Sequence, residues 1–244
     1  MKEMHDKILV FVPGYNVEKT AEKALFCLLE VRKKLLFDIL FVDNCSSDST
    51  YEIAKRFSKG RAYVRLIRNP GNLGYGGSQK VAFRYAFREN FDYLVEYDSD
   101  IQYPAEKIMA LYRKIKSDSS SIVFGSRVKN AKDISEMPKW KAIGNIAFDR
   151  MLNWAFGFGV SEIHTGFRIY SLKEVKGFAL DKCHDDYRWT LDSVIETAKI
   201  RKKFSEIGVK ALYHRNAKAP SSFQLIKVMV YMLFRALKFR ILKE

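Results

Sequence analysis

Asp98-Ser99-Asp100, with Gln102 close behind, follows the apolar run Tyr93-Leu94-Val95-Glu96-Tyr97. The run is aromatic and β-branched and comes after the turn-like Asn90-Phe91-Asp92, so it reads as a short buried strand. Carboxylates spaced i, i+2 at such a strand end point the same way, so both can face one hard cation. Oxygen ligands suit Mg²⁺ or Mn²⁺, which hold phosphate-bearing substrates through one or two protein carboxylates. An Asp-x-Asp alone reads equally well as two solvated turn residues. The elements that position it decide between the two.

Those elements alternate. Ile8–Val12 is a compact strand ended by Pro13-Gly14, and Thr20–Lys34 has a helical apolar period with basic residues at its end. Ile39–Val42 and Val64–Ile67 read as strands around a helix over Ser49–Phe57. The turn Asn69–Gly74 leads into a helix through Glu89. After the Tyr93–Tyr97 strand come a helix over Pro104–Lys116 and a strand over Ile122–Gly125. This alternation predicts an α/β fold with a mostly parallel sheet and helices on both faces. Open sheets of this kind bind ligands at the carboxyl ends of their strands. Tyr15-Asn16, Asp43-Asn44 and Asp98-Ser99-Asp100 therefore converge on one edge, which favours the cation-binding reading.

The second half is less regular. Helices are expected over Pro138–Phe158 and Tyr187–Arg201, a loop and strand over Glu162–Tyr170, and a strand over Phe204–Leu212. In Ser221–Glu244 the residues Gln224, Lys227, Tyr231, Arg235 and Lys238 form one polar stripe, and nearly everything else is apolar. That pattern fits a helix lying in a membrane surface, or one docked on the body of the domain or on a subunit neighbour in an oligomer. The boundaries implied are a body over 1–218, divided near 126, and a helical tail over 219–244.

Composition narrows the function classes. The 244 residues are 48% hydrophobic, which argues for a packed core over disorder, and the net charge of +15 implies an anionic partner. No zinc-finger, RNA-binding or helix-turn-helix pattern accompanies that charge, so nucleic acid is not expected. Cys27, Cys45 and Cys183 are far apart and form no CxxC pair, which fits a reducing compartment. With no signal-peptide apolar region before the first strand and no long uncharged apolar stretch, the expectation is a cytoplasmic protein, peripheral at the membrane face.

Six blocks in order resemble glycosyltransferase family 2, in particular its dolichyl- and polyprenyl-phosphate hexose synthases. They are Pro13-Gly14-Tyr15-Asn16 with Glu18, Val42-Asp43-Asn44-Cys45-Ser46-Ser47-Asp48-Ser49-Thr50, Asn72-Leu73-Gly74-Tyr75-Gly76, Asp98–Pro104, Gly125-Ser126-Arg127 and Thr165-Gly166-Phe167-Arg168. The departures are Val17 before Glu18, Asn44 and Cys45 where the family block has Asp-Gly, Glu162 where aspartate is common, and Glu206-Ile207-Gly208 without the usual proline. The resemblance implies a GT-A fold and inverting transfer from a GDP- or UDP-hexose. It places Asp98, Asp100 and Gln102 on the metal and diphosphate, with Asp98 also able to hold the ribose. Asp43 would hold the base or ribose, with Pro13, Tyr15 and Glu18 walling the base pocket. Gly76 belongs to the nucleotide-sugar set, although its glycine run serves equally for close packing.

The acceptor separates two readings. A hydroxyl acceptor needs a carboxylate base, for which Asp185, Asp186 and Asp192 are candidates. A lipid phosphate is already anionic and needs positive charge instead. Arg127 matches an arginine of the polyprenyl-phosphate branch, and Lys141, Asn145, Thr165, Arg168 and Arg215 are the further candidates for holding the acceptor phosphate. The catalytic set is thus Asp100, Arg127 and Asp192. A polyprenyl phosphate acceptor is expected first, a glycan hydroxyl second, and a nucleotide-sugar-binding protein without catalysis is the reading of another class. His164, beside Thr165, reads as a structural histidine or a phosphate contact.

Overall fold

The computed structural model describes residues 6–129, 139–200, 203–212 and 222–242. Seven strands and seven helices alternate through most of it: β1 Ile8–Gly14, α1 Glu18–Arg32, β2 Asp38–Asp43, α2 Thr50–Ser58, β3 Val64–Arg68, α3 Gly74–Arg88, β4 Tyr93–Glu96, α4 Lys107–Asp118 and β5 Ile122–Ser126. The second half adds α5 Lys139–Phe156, β6 Arg168–Ser171, α6 Trp189–Ile200, β7 Phe204–Gly208 and α7 Ser222–Leu242. The strands form one sheet in the order β3-β2-β1-β4-β6-β5-β7.

Strand burial explains the runs in the sequence. Leu9 and Phe11 of β1 face a core shared with α3, α5, α6 and α7. Ile8, Val10 and Val12 face a second core under α1, α2 and α4. A strand covered on both faces reads as a continuous apolar run, and its side chains alternate between the layers. The helices present one stripe each; in α1 it is Ala21, Ala24, Leu25, Leu28 and Val31.

Two features depart from expectation. β6 is antiparallel and lies between β4 and β5, pairing Glu96 with Arg168 and Phe124 with Arg168 across its two edges. β7 ends at Gly208, short of Leu212, because the chain leaves the sheet there and the Leu212 N–H donates to Gln102 O at 2.8 Å. The segment that follows β7 thereby braces the Asp-x-Asp loop.

The polar stripe of α7 faces the body. Lys227 Nζ reaches Asp186 Oδ2 at 2.9 Å, Tyr231 donates to Asp192, and Arg235 donates to the Tyr231 hydroxyl at 3.1 Å. Met232 and Ala236 are buried beside that stripe. Most of the remaining large apolar residues of α7 point outward, so the helix is docked by its polar side.

Candidate active site

The loops after β1, β2 and β4 meet at one sheet edge. Asn16, Cys45 and Ile101 all adopt positive φ, between 51° and 62°, so each loop reverses sharply at its strand end. At Ile101, a β-branched residue in the left-handed region, the turn is strained, and it brings Gln102 back onto Asp100. Gln102 N–H and Nε2 donate to Asp100 Oδ1 and Oδ2 at 3.2 and 2.9 Å. Ser99 Oγ donates to Pro13 O at 2.6 Å, locking the β4 loop to the end of β1. Gln102 thus orients Asp100, the carboxylate it was expected to accompany on the metal.

Asp98 sits deepest. Burial, reinforced by the Asp100 and Glu96 carboxylates, pushes its pKa up to about 8. Glu96 is itself pushed up to about 7 by burial, opposed by the Arg168 guanidinium at 3.3 Å. Gly166 passes so close that a Cβ there would lie 2.4 Å from Asp98 Oδ2. Tyr75 and Tyr187 stack at 5.0 Å beside the same carboxylates. Two buried, mutually repelling carboxylates form a hard oxygen donor set that a divalent cation would relieve. Among the described residues no three His, Cys, Asp or Glu side chains cluster as a complete metal site. The residues present therefore fit a cation that two carboxylates share with a bound phosphate, rather than one caged by protein alone.

Residues expected at the nucleotide do structural work as well. Asp43 is fully buried, accepts from Ser46 N–H at 3.3 Å and pairs with Arg68 at 3.2 Å, so turn capping is the role its contacts display. Glu18 Oε2 accepts from Ser49 N–H, while Asp48 accepts from Glu18 N–H, so the two residues cap α1 and α2 reciprocally. Tyr15 is exposed at the edge and Pro13 is half-buried there. Asn44 is a hub that the sequence did not single out: its amide donates to Asn72 Oδ1 and Gly74 O, and its oxygen accepts from Leu73 N–H and Asn69 Nδ2. Aspartate could not supply those two donors. The departure from the family's aspartate was the available signal.

Gly76 packs against backbone. A Cβ there would meet His184 O at 2.2 Å, and Gly77 N–H donates to Asp185 O at 3.0 Å, so the glycine run admits the 184–186 segment against α3. Asp185 pairs with Lys80 at 2.8 Å. Burial would raise the Asp186 pKa, but hydrogen bonds from Arg188 and Lys227 outweigh it and hold that carboxyl well below its usual range. Asp192 is buried and accepts from His184 N–H, His184 Nδ1 at 2.7 Å and the Tyr231 hydroxyl. Through these contacts Asp192, the residue expected in the catalytic set, braces α6 and α7 against the 184–188 segment.

On the acceptor side, Arg127 N–H and its guanidinium donate to the fully buried Glu162, with Nε to Oε1 at 2.8 Å. His164 continues the chain, its Nε2 at 3.5 Å from Glu162 and its Nδ1 at 3.1 Å from Asp149 of α5. Burial would raise the Glu162 pKa, yet Arg127 and His164 hold it low; burial would lower that of His164, yet Asp149 and Glu162 lift it. Thr165 is buried, donating to Gly125 O at 2.9 Å. Arg168 has no exposed surface and donates to Thr165 O, with Glu96 opposite, so its expected phosphate contact is corrected to a core pairing. The side chains of Lys141 and Asn145, on α5, and all of Arg215 lie outside the described residues.

With this geometry in hand, the sequence model described as glycosyl transferase family 2 matches residues 9–175. The chain belongs to glycosyl transferase family 2. Among its relatives, a UDP-N-acetylglucosamine–dolichyl-phosphate N-acetylglucosaminyltransferase of Methanococcus voltae is 25% identical over 96% of this chain and 98% of its own. An undecaprenyl-phosphate mannosyltransferase of Micrococcus luteus is 24% identical over 83% and 82%. A glucosyl-3-phosphoglycerate synthase of Mycobacterium tuberculosis, solved with Mn²⁺, UDP-glucose and phosphoglyceric acid, superposes with a TM-score of 0.69 at 16% identity, covering 96% of this chain and 79% of that one. The fold is of the GT-A type, and this family 2 chain is a glycosyltransferase.

Proposed function

We propose that this glycosyltransferase moves a sugar from a nucleotide diphosphate sugar to a polyprenyl phosphate, with inversion at the anomeric carbon, and that Mg²⁺ or Mn²⁺ is held by Asp98 and Asp100. One observation carries the acceptor assignment: the three carboxylates expected as a base, Asp185, Asp186 and Asp192, are each already paired. Asp185 is held by Lys80, Asp186 by Arg188 and Lys227, and Asp192 by His184 and Tyr231. A hydroxyl acceptor would need one of them for its proton, whereas an ionised phosphate brings its own nucleophilic oxygen. The names of the Methanococcus and Micrococcus relatives support the same assignment.

In this reading a phosphate oxygen attacks the anomeric carbon while the bond to the nucleoside diphosphate breaks on the opposite side. A cation held by Asp98 and Asp100 would supply Lewis-acid neutralisation of the departing diphosphate. Gln102 fixes the Asp100 carboxylate for that task. Tyr15 and Pro13 wall the nucleotide end. Arg127, aligned by Glu162, presents charge to the acceptor phosphate. Cys45 and Asn44 do not argue for lost catalysis, because Cys45 holds the left-handed turn where the family block has glycine and Asn44 ties the loops together.

The test supplies polyprenyl phosphate and, in turn, labelled UDP-N-acetylglucosamine, UDP-glucose and GDP-mannose with Mn²⁺. An acid-labile glycolipid is expected with one donor. No product with any common donor, or transfer abolished in D185N, D186N or D192N while donor binding persists, would favour a hydroxyl acceptor and sink the proposal.

A further inference from the structure

We propose that the outer face of α7, together with Trp154 of α5, docks flat on an anionic lipid bilayer. Eight of the large apolar side chains that stay exposed in this protein lie on this one helix. Ile226 is 60% exposed, Val230 62%, Phe234 62%, Leu237 46% and Ile241 73%, a ladder at helical spacing with Met229 and Leu233 beside it. The polar stripe turned toward the body holds this ladder outward, through Lys227–Asp186, Tyr231–Asp192 and the burial of Met232 and Ala236. Trp154, 60% exposed, extends the face onto α5, where Arg240 lies over its ring at 4.6 Å. Tryptophan is suited to a membrane–water boundary because its ring is apolar and its N–H is polar.

Charge selects the occupant. Ser222–Leu242 contains no Asp or Glu and carries Lys227, Arg235, Lys238 and Arg240, within a chain of net charge +15. Lys227 and Arg235 are tied to the body, which leaves Arg240 beside Trp154 as a cation on the outward face. An apolar face with a cation and no carboxylate complements anionic headgroups, and a second copy of it would bring like charges together. No helix among the described residues is long and apolar enough to cross a membrane, so α7 lies on the bilayer. The docked helix is bonded to the 184–192 segment that leans on the glycine run, so the bilayer is joined to the active-site edge by two side-chain contacts.

The full chain is mixed with phosphatidylcholine vesicles, with or without phosphatidylglycerol, containing neither polyprenyl phosphate nor donor. It should sediment with the anionic vesicles, and the fraction bound should fall as salt rises. V230E/F234E alters two exposed positions and should keep the wild-type melting curve while losing at least about tenfold in vesicle affinity. R240Q, at the exposed cation beside Trp154, should lose about fivefold. Absence of wild-type binding, or equal binding by V230E/F234E, overturns the proposal. So does a wild-type dimer in size-exclusion chromatography that V230E/F234E converts to monomers without any vesicle binding, since the face is then a self-association surface. Vesicle binding by a chain that transfers no sugar to polyprenyl phosphate would leave the docking surface standing and remove the acceptor assignment instead.

Discussion

The carboxylates at the end of β4 and those beside β5 are both buried, yet their charges are handled in opposite ways. Asp98 lies against Asp100 and Glu96, and its pKa rises to about 8. Glu162 is fully buried, more so than Asp98, yet it is held low by Arg127 and His164. The first cluster brings like charges together at the sheet edge, where the proposed cation would neutralise them. The second neutralises itself and supports the fold. Burial alone therefore does not distinguish a binding carboxylate from a structural one; the sign of its neighbours does.

The largest effect should separate the two clusters. D100A should reduce sugar transfer by roughly 10³-fold while leaving the melting temperature in metal-free buffer nearly unchanged, because the variant removes repulsion along with function. Thermal shift by Mn²⁺ with UDP should vanish in the same variant. Next comes Arg127. R127M strands a buried carboxylate and should cost about 3–5 kcal/mol in chemical denaturation. R127M/E162Q should recover much of that stability and none of the transfer, so recovery of both would dissolve the distinction.

Smaller effects probe the supporting residues. N44D replaces two hydrogen-bond donors with repelling oxygens at Asn72 and Gly74 and should destabilise by about 1–3 kcal/mol. The smallest is pH-dependent. His164 has a folded pKa raised above 6.5 by Asp149 and Glu162, so its contribution is present below the unfolded value and is lost as pH rises through the raised folded value. The wild-type melting temperature should drop by a few degrees across that window, and H164Q should flatten the drop. An equal slope in both would remove His164 from the self-neutralised cluster.

Much of the first half was legible in the sequence, because each strand there is covered on both faces and each helix presents one apolar stripe. Ile8–Val12, Ile39–Val42 and Tyr93–Tyr97 all lie on observed strands or run a residue past them. Asp98 and Asp100 could be singled out because carboxylates at a strand end carry the signal locally, whereas Arg127 stood out through its match to a family block. What escaped is what depends on tertiary partners. Arg168 has the same charge as Arg127, and only the antiparallel entry of β6 opposite Glu96 makes it a core residue. Asp192 looked available until α7 brought Tyr231 onto it. The Glu162–His164–Asp149 chain joins residues on separate elements, and no spacing rule links Asp149 on a helix to His164 in a loop.

The antiparallel strand between β4 and β5 also bears on how the chain is made. While residues 1–126 emerge during synthesis, β4 and β5 exist but the strand that belongs between them does not. The growing chain carries an open β4 edge until Arg168–Ser171 arrives, and such edges recruit other strands. The nucleotide-side half is therefore no independent folding unit. Expressed alone, residues 1–126 should aggregate.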